Sequence, residues 1–377
     1  MIRRVINGVD TDHPLGSSNG HSADASRNGA PPSNSRLPRP STTFERRLLQ
    51  SLLSAVGNPP LLVRLWDGET FGKDDEPLAT LTICDRGALA KLLADPNFQF
   101  GELYADDRLR VEGPLDVMMT ELFRSIDRVN KTTSLWTKFL QKLRPPRSTN
   151  LRASKDNIYH HYDLGNDFYR LWLDEQMAYT CAYFRHGEAT LEEAQRAKFE
   201  HGCRKARLEP GMAVVEAGCG WGGLALHMAQ HYGVRVRAYN ISREQIAYAR
   251  QQAKLRDLDE RVQFIEDDWR NINDPCDAFV SVGMLEHVGR KNYQQLGAVI
   301  DRSLAPNGRG LIHTIGQNQS QPFSVWIERR IFPGAYTPTL SEMPTSAPSN
   351  TNVSSATSSS PHRFSQKPAR HICGIVT

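Results

Sequence analysis

Val214 to Gly223 read VVEAGCGWGG, a β-branched run followed by glycines at 218, 220, 222 and 223. A chain that leaves a strand through such glycines can turn tightly and lay bare backbone against a ligand before a helix opens. The same run satisfies GxGxxG through Gly218, Gly220 and Gly223, a spacing used for dinucleotides. A nicotinamide site would want an acid on the ribose about 20 residues further on. The next strand ends instead in Asn240 (RAYNISREQ), which argues against that use.

The acid of this stretch, Glu216, stands before the glycines in the form ExGxGxG. That form suits S-adenosylmethionine, because a carboxylate there lies close to the cationic methionine moiety. Outward from the loop, MAVVEAG, VRVRAYN, VQFIED, DAFVSVG and GLIHTIG alternate with helical stretches such as SREQIAYARQQAKLRD. Strands and helices alternating at this spacing predict right-handed crossovers and a mostly parallel sheet covered on both faces, an α/β Rossmann-like fold. Ligands of such a sheet sit at the carboxyl ends of its strands.

Further out, the composition changes character. Residues 1–43 and 341–377 are rich in Gly, Ser, Asn and Pro with few large apolar side chains, and are expected to be disordered tails. Residues 44–130 carry an amphipathic opening (FERRLLQSLLSAVG), strands in LLVRLWDG and ATLTI, and a helix in RGALAKLLAD, the pattern of a small α+β domain. Within it GELYADDRLRVEGPL reads as a turn-rich surface segment. Residues 131–156 form a connector whose stretch Lys131 to Lys155 has seven basic residues and no acidic one, and in which Leu135, Trp136, Phe139, Leu140 and Leu143 recur at helical spacing. Such a helix can lie on anionic lipid or dock its apolar face on the neighbouring domain.

The chain has 46 Lys+Arg against 42 Asp+Glu, and a net charge of +4 is too small to imply a nucleic-acid partner. No apolar run approaches the roughly 18 residues that span a bilayer. The start lacks the apolar core of a signal peptide, so a cytoplasmic address is expected. The six cysteines lack CxxC pairs, which argues against a metal site and for free thiols.

The runs EAGCGWGG, YNISREQ, EDDWRNIND, SVGMLEHVGRKNY and LIHTIG, preceded by YHHYDLGNDFYRLWLDEQMAYTCAYF, closely resemble the cyclopropane-fatty-acyl-phospholipid synthase family of S-adenosylmethionine-dependent methyltransferases. The resemblance covers residues 157–340 and extends to the small first domain. It implies a class I methyltransferase fold. Tyr179, Thr180, the loop through Glu216, Gly218, Cys219, Gly220, Trp221 and Gly222, then Asn240 to Gln245, and Trp269 with Arg270 are implied to surround the cofactor. Trp269 offers a flat face for adenine and Gln245 a reach to ribose hydroxyls. The implied reaction transfers a methylene to a cis double bond of a phospholipid acyl chain. Bicarbonate is the implied base, held by residues matching Cys181, Glu286 and His313, with Ile315 supporting through its backbone and His287 structural. The eight aromatics between Tyr159 and Phe184 suit an apolar slot and the stabilisation of a carbocation.

The implied partners are unsaturated phospholipids at a membrane surface, with peripheral attachment and a homodimer as a possible assembly. Two other functions fit the same residues: N-methylation of a small amine, and a catalytically inactive binding protein. The last arises because the family's sequence runs on well beyond the point matching Leu340, whereas here Ser-rich sequence follows IFPGAYTPTLSEM directly. The expectation is a methyltransferase domain truncated or frame-shifted after Met343, with the edge of GLIHTIG left unpaired.

Overall fold

The computed structural model describes residues 39–72, 77–130, 165–320, 323–342, 352–357 and 371–376. The described residues begin at 39, slightly before the expected domain boundary at residue 44. Ser41 is buried and its N–H donates to Asp67, and Thr42 caps α1 (Thr43–Ala55). The Thr42 hydroxyl accepts from the Glu45 N–H at 3.2 Å while the Glu45 carboxylate accepts from the Thr42 N–H at 2.8 Å, a reciprocal capping box.

Four short strands follow: β1 (Leu62–Arg64), β2 (Thr70–Gly72), β3 (Thr80–Ile83) and β4 (Leu109–Glu112). They form one sheet in the order β2-β1-β3-β4, with β1 and β3 parallel and the outer pairs antiparallel. α2 (Arg86–Ala94), α3 (Pro96–Ala105) and α4 (Leu115–Asn130) complete this part. Its core gathers Leu49, Val63, Ile83, Leu89, Leu103 and Leu109. The stretch expected as a surface turn, GELYADDRLRVEGPL, therefore supplies the end of α3 and all of β4, with Leu103 and Leu109 each only 1% exposed. Its many charges hid the pattern, because they occupy the solvent side of a helix and a strand whose inner positions are apolar.

The larger sheet is built from β5 (Ala213–Ala217), β6 (Arg235–Asn240), β7 (Val262–Glu266), β8 (Cys276–Val282) and β9 (Leu304–Thr314), which are the five strands expected from sequence. Before them come α5 (Asn166–Arg170) and α6 (Leu191–Ala206). Between and after them lie α7 (Gly223–Tyr232), α8 (Arg243–Leu255), α9 (Leu285–Val288), α10 (Tyr293–Ser303) and α11 (Val325–Arg330). Neighbouring residues on one strand enter opposite apolar layers. Val214, Val280 and Leu311 join Phe199, Leu226 and Phe264, while Val215, Phe279 and Ile312 join Leu285, Leu296 and Ile300. Both faces are thus buried, as a parallel sheet with crossover helices requires.

Two further strands, β10 (Asn352–Thr357) and β11 (His371–Val376), extend the order to β10-β11-β9-β8-β5-β6-β7 with every pair parallel. This differs from the expected bare edge at GLIHTIG. Backbone from the basic stretch HRFSQKPARHICGIVT pairs with β9 from His371↔Arg309 to Val376↔Thr314, and β10, from the Ser-rich stretch, pairs with β11. An open strand offers a full row of N–H and C=O groups, and HICGIV has the β-branched content to meet it. The basic connector and Tyr159 and Tyr162 lie outside the described residues.

α3 and α11 meet directly. Glu102 accepts from Trp326 Nε1 at 3.0 Å and from Arg330 Nε at 2.9 Å, and the Arg329 guanidinium lies 4.7 Å from the Phe98 ring centre. Among the described residues no helix is long and apolar enough to cross a membrane.

Candidate active site

β5 stands between β6 on one side and β8 on the other, so the order of the sheet reverses there and a crevice opens beyond the carboxyl ends of β5 and β8. The glycine loop fills the first of those ends. Gly218, Gly220 and Gly222 have φ of +81°, +55° and +85°, a conformation that side-chain-bearing residues rarely adopt. The Gly218 and Cys219 N–H groups donate to the Tyr239 carbonyl at 2.9 and 3.0 Å, which ties the loop to the end of β6. A Cβ at Gly220 would meet open space, whereas one at Gly222 would strike Phe264 and Ala249. The Cys219 side chain is buried. So is Trp221, which packs on Tyr169 with ring centres 4.8 Å apart and donates to Asn166 Oδ1 at 2.6 Å. These two expected cofactor residues therefore offer backbone, with side chains spent on packing.

Glu216 sits at the end of β5, 2% exposed, and its Oε2 has no hydrogen-bond partner. Burial pushes its pKa up to about 8, against the pull of Lys198. A buried carboxyl without a partner is costly, and a cationic ligand end beside it relieves that cost. Bare loop backbone, open space at Gly220 and this carboxyl fit S-adenosylmethionine. Asn240 Nδ2 donates to the Gly220 carbonyl at 3.2 Å and to Gln245 Oε1 at 2.7 Å. The oxygen of Gln245 is thus engaged. Trp269 opens a 3₁₀ turn (Trp269–Asn271) after β7. The Arg270 guanidinium lies 4.7 Å from the indole centre and is held by Asp268 at 3.0 Å. Only 9% of Trp269 is exposed, so less of a flat face is open than expected.

The segment carrying Tyr179, Thr180 and Cys181 is held from α6. Gln195 Nε2 donates to the Ala178 carbonyl at 3.0 Å and the Thr180 carbonyl at 2.8 Å, and Lys198 Nζ donates to Thr180 Oγ1. The helix N-cap Thr190 and Glu193 form a second capping box that fixes where α6 starts. Tyr179 is half-buried in an aromatic group with Trp172 at 5.1 Å and Phe332 at 6.1 Å between ring centres. Cys181 is exposed at the rim of a cleft of about 540 Å³ that Lys198, Phe199, His201, Leu311 and His313 also line.

Glu286 follows β8 on α9 and is 7% exposed. Its Oε1 accepts from the Ile315 N–H at 2.7 Å, and its Oε2 is buried without a partner. Burial raises its pKa, opposed by the Ile315 bond. The unpartnered Oε2 leaves one hydrogen-bonding position on this carboxyl unused. His313 is buried near the end of β9, and burial lowers its pKa to about 4 with Lys198 and His201 adding to the effect. The structure thus joins Glu286 to Ile315 by a hydrogen bond and Cys181 to His313 by a shared cleft. His287 is half-buried against Phe332, ring centres 5.3 Å apart.

Three residues here were not singled out from sequence: Gln195, Lys198 and Tyr293. The Tyr293 hydroxyl is buried without a partner and feels the Glu286 charge. A lysine and a glutamine three apart on one helix were the available signal, and it is common to any solvated helix face.

A glycine-lined strand end at the switch point of a parallel sheet, with an acid in front of it, defines a class I S-adenosylmethionine-dependent methyltransferase. Residues 149–364 match the family described as mycolic acid cyclopropane synthetase, and the chain belongs to that family. Residues 48–134 match a domain of unknown function, DUF7884. The chain is similar to a probable fatty acid methyltransferase of Pseudomonas putida, 36% identical over 75% of this chain and 72% of that protein. It is also similar to the cyclopropane-fatty-acyl-phospholipid synthase of Escherichia coli (strain K12), 46% identical over 48% of this chain and 47% of that protein. It therefore spans about half the length of that relative. Among solved structures, the cyclopropane synthase MmaA2 from Mycobacterium tuberculosis is 32% identical with a TM-score of 0.49, over 51% of this chain and 73% of that one.

Proposed function

We propose that this protein transfers a methylene from S-adenosylmethionine to a cis double bond of a phospholipid acyl chain, forming a cyclopropane ring. The observation that carries the reading is the family match together with Glu286 and His313 near the carboxyl ends of β8 and β9. The cofactor supplies an electrophilic methyl group. The alkene π pair forms the new bond to that carbon, sulfur leaves as a neutral thioether, and one alkene carbon becomes cationic. Tyr179 and Trp172 meet edge to face with ring centres 5.1 Å apart, and aromatic quadrupoles of this kind stabilise a cation. Ring closure then needs a proton taken from the added methyl group. Bicarbonate would supply that base, held by Glu286, His313 and Cys181. His313, with its pKa lowered to about 4, is neutral at working pH and can accept from the anion. The Ile315 N–H fixes Glu286 through Oε1, and its buried second oxygen has no partner.

A peripheral membrane location, with the basic connector on anionic lipid, is part of the same proposal, since the substrate sits in a bilayer. The experiment incubates the full chain with S-adenosylmethionine, bicarbonate and vesicles of unsaturated phospholipid, and reads extracted acyl chains by mass spectrometry. The expected product is heavier by one methylene and has lost its alkene. Methylation of added small amines with untouched lipid would overturn the reading in favour of an N-methyltransferase. Cofactor binding without any turnover would make the chain a binding protein.

A further inference from the structure

Among the described residues β7 is the last strand on its side of the sheet, so the turn that follows it, Trp269–Asn271, has no further strand to lean on. Side chains hold it instead. On the entry side Asp268 is buried and accepts from the Arg270 N–H at 2.9 Å, while Asp267 Oδ1 accepts from the Asp268 N–H and from Asn271 Nδ2, both at 2.7 Å. On the exit side the support comes from α10. Arg302 Nε and Nη2 donate to the Ile272 carbonyl at 2.9 and 2.6 Å, and Nη2 also donates to the Arg270 carbonyl at 2.6 Å. A short 3₁₀ turn leaves its last carbonyls without partners of its own, and a planar guanidinium can satisfy two of them at once. Among the described residues Arg302 has no carboxylate partner, so its donors are spent on this turn. Its stem rises from the last turn of α10, whose Leu296, Val299 and Ile300 share an apolar layer with Trp269 and Ile272.

We propose that Arg302 is a positioning residue for the cofactor: it fixes the backbone from Arg270 to Ile272 against α10 and so sets where the adenine end of S-adenosylmethionine meets Trp269 and Arg270. The inference rests on the cofactor reading of this turn, and it adds a residue that acts through the turn. Arg270 is tied to Asp268 at 3.0 and 3.1 Å and lies on the Trp269 ring at 4.7 Å. The two side chains therefore move with the backbone that carries them. Only 9% of Trp269 is exposed, so the surface open to a purine is narrow and a small displacement of the turn removes much of it. Without Arg302 the entry side stays pinned by Asp267 and Asp268 while the exit side loses three hydrogen bonds, which lets the turn pivot about its start.

The test is a double-mutant cycle, read as calorimetric affinity of the full chain for S-adenosylhomocysteine, with melting curves to show which variants are folded. Arg302→Met keeps the apolar stem and removes the donors, and should weaken binding about tenfold, the scale of a lost hydrogen bond with a charged partner. Arg302→Lys, a compact charge that reaches one carbonyl where the fork reaches two, should fall between the parent and Arg302→Met. In a Trp269→Leu background the methionine substitution should cost less than about threefold, because substitutions that act through one contact do not add. If the methionine variant does not fold, Arg302→Lys carries the same cycle. Equal losses in both backgrounds would make Arg302 a contributor to general stability and overturn the inference alone, as would parent-like affinity in a folded Arg302→Met. Parent-like affinity in Trp269→Leu would overturn the cofactor reading of the turn and this inference with it.

Discussion

Alanine at Gly222 and alanine at Gly220 should fail in different ways, although the two glycines stand two residues apart in one loop. A Cβ at Gly222 would lie 2.6 Å from Phe264 Cζ and 2.9 Å from Ala249 Cβ, at a φ of +85°. Phe264 sits in the apolar layer on one face of the sheet, so it has little room to give. Overpacking of this kind costs about 1 to 3 kcal/mol, and the left-handed backbone adds about 1 kcal/mol for a residue with a Cβ. The sum, about 2 to 4 kcal/mol, corresponds to roughly 4 to 16 °C in Tm for a domain of this size. At Gly220 the Cβ meets nothing within 4 Å, so only the backbone strain applies and Tm should fall by about 2 to 4 °C. The open space is where the cofactor is expected, so Gly220→Ala should weaken S-adenosylhomocysteine binding at least about tenfold, or ~1.4 kcal/mol, and Gly220→Val should abolish it. Differential scanning fluorimetry and titration calorimetry measure the two quantities separately. Parent-like affinity in a folded Gly220→Ala would refute the placement of the cofactor against this loop, and a parent-like Tm in Gly222→Ala would refute the packing argument.

Three further outcomes are expected. Ile315→Ala keeps the N–H that Glu286 Oε1 accepts and should leave turnover within about threefold, whereas Ile315→Pro removes the donor and should cost about tenfold or more, as leaving a buried acceptor unsatisfied does; steady-state kinetics compare them. Gly101→Ala should push the Trp326 indole off α3, since its Cβ would stand 2.4 Å from Trp326 Nε1, costing about 1 to 3 kcal/mol and giving a red-shifted tryptophan emission with a lower Tm. Because burial raises the folded-state pKa of Glu216 from 4.5 to about 8, its contribution is full below the lower value and is lost as pH rises through the upper one. Glu216→Gln should therefore show less loss of stability than the parent between those limits in denaturant titrations.

The larger sheet was legible because both faces of each strand are buried, so β-branched residues run together in VVEAG and FVSV with helical stretches between them. The small sheet was half legible for the opposite reason. β4 is buried on alternate positions only, and Arg110 and Glu112 beside Leu109 and Val111 made a strand look like a charged turn. The pairing of β11 with β9 was not legible at all, since it depends on what an open edge recruits and the basic stretch HRFSQKPARHICGIVT gave no periodic signal of its own.

In the candidate site, the residues singled out from sequence stand mostly at strand ends, and Gln195 and Lys198, which were not, stand on a helix face. The glycines, Glu216 and His313 stand at or beside a strand's end and Glu286 on the short helix that follows β8, and a strand's end can be read from where its apolar run breaks. Gln195 and Lys198 stand mid-helix in LEEAQRAKFEHGCRKA, where two polar residues three apart ordinarily mark the side facing water. Here that side faces inward, because the segment from Ala178 to Thr180 lies across it and brings carbonyls that need donors. The polar face of α6 is therefore a second inner surface, set by a chain segment that precedes it by more than ten residues. Trp221 and Cys219 erred in the other direction: the loop motif marks backbone positions, while their side chains answer to the packing of α5 and the sheet.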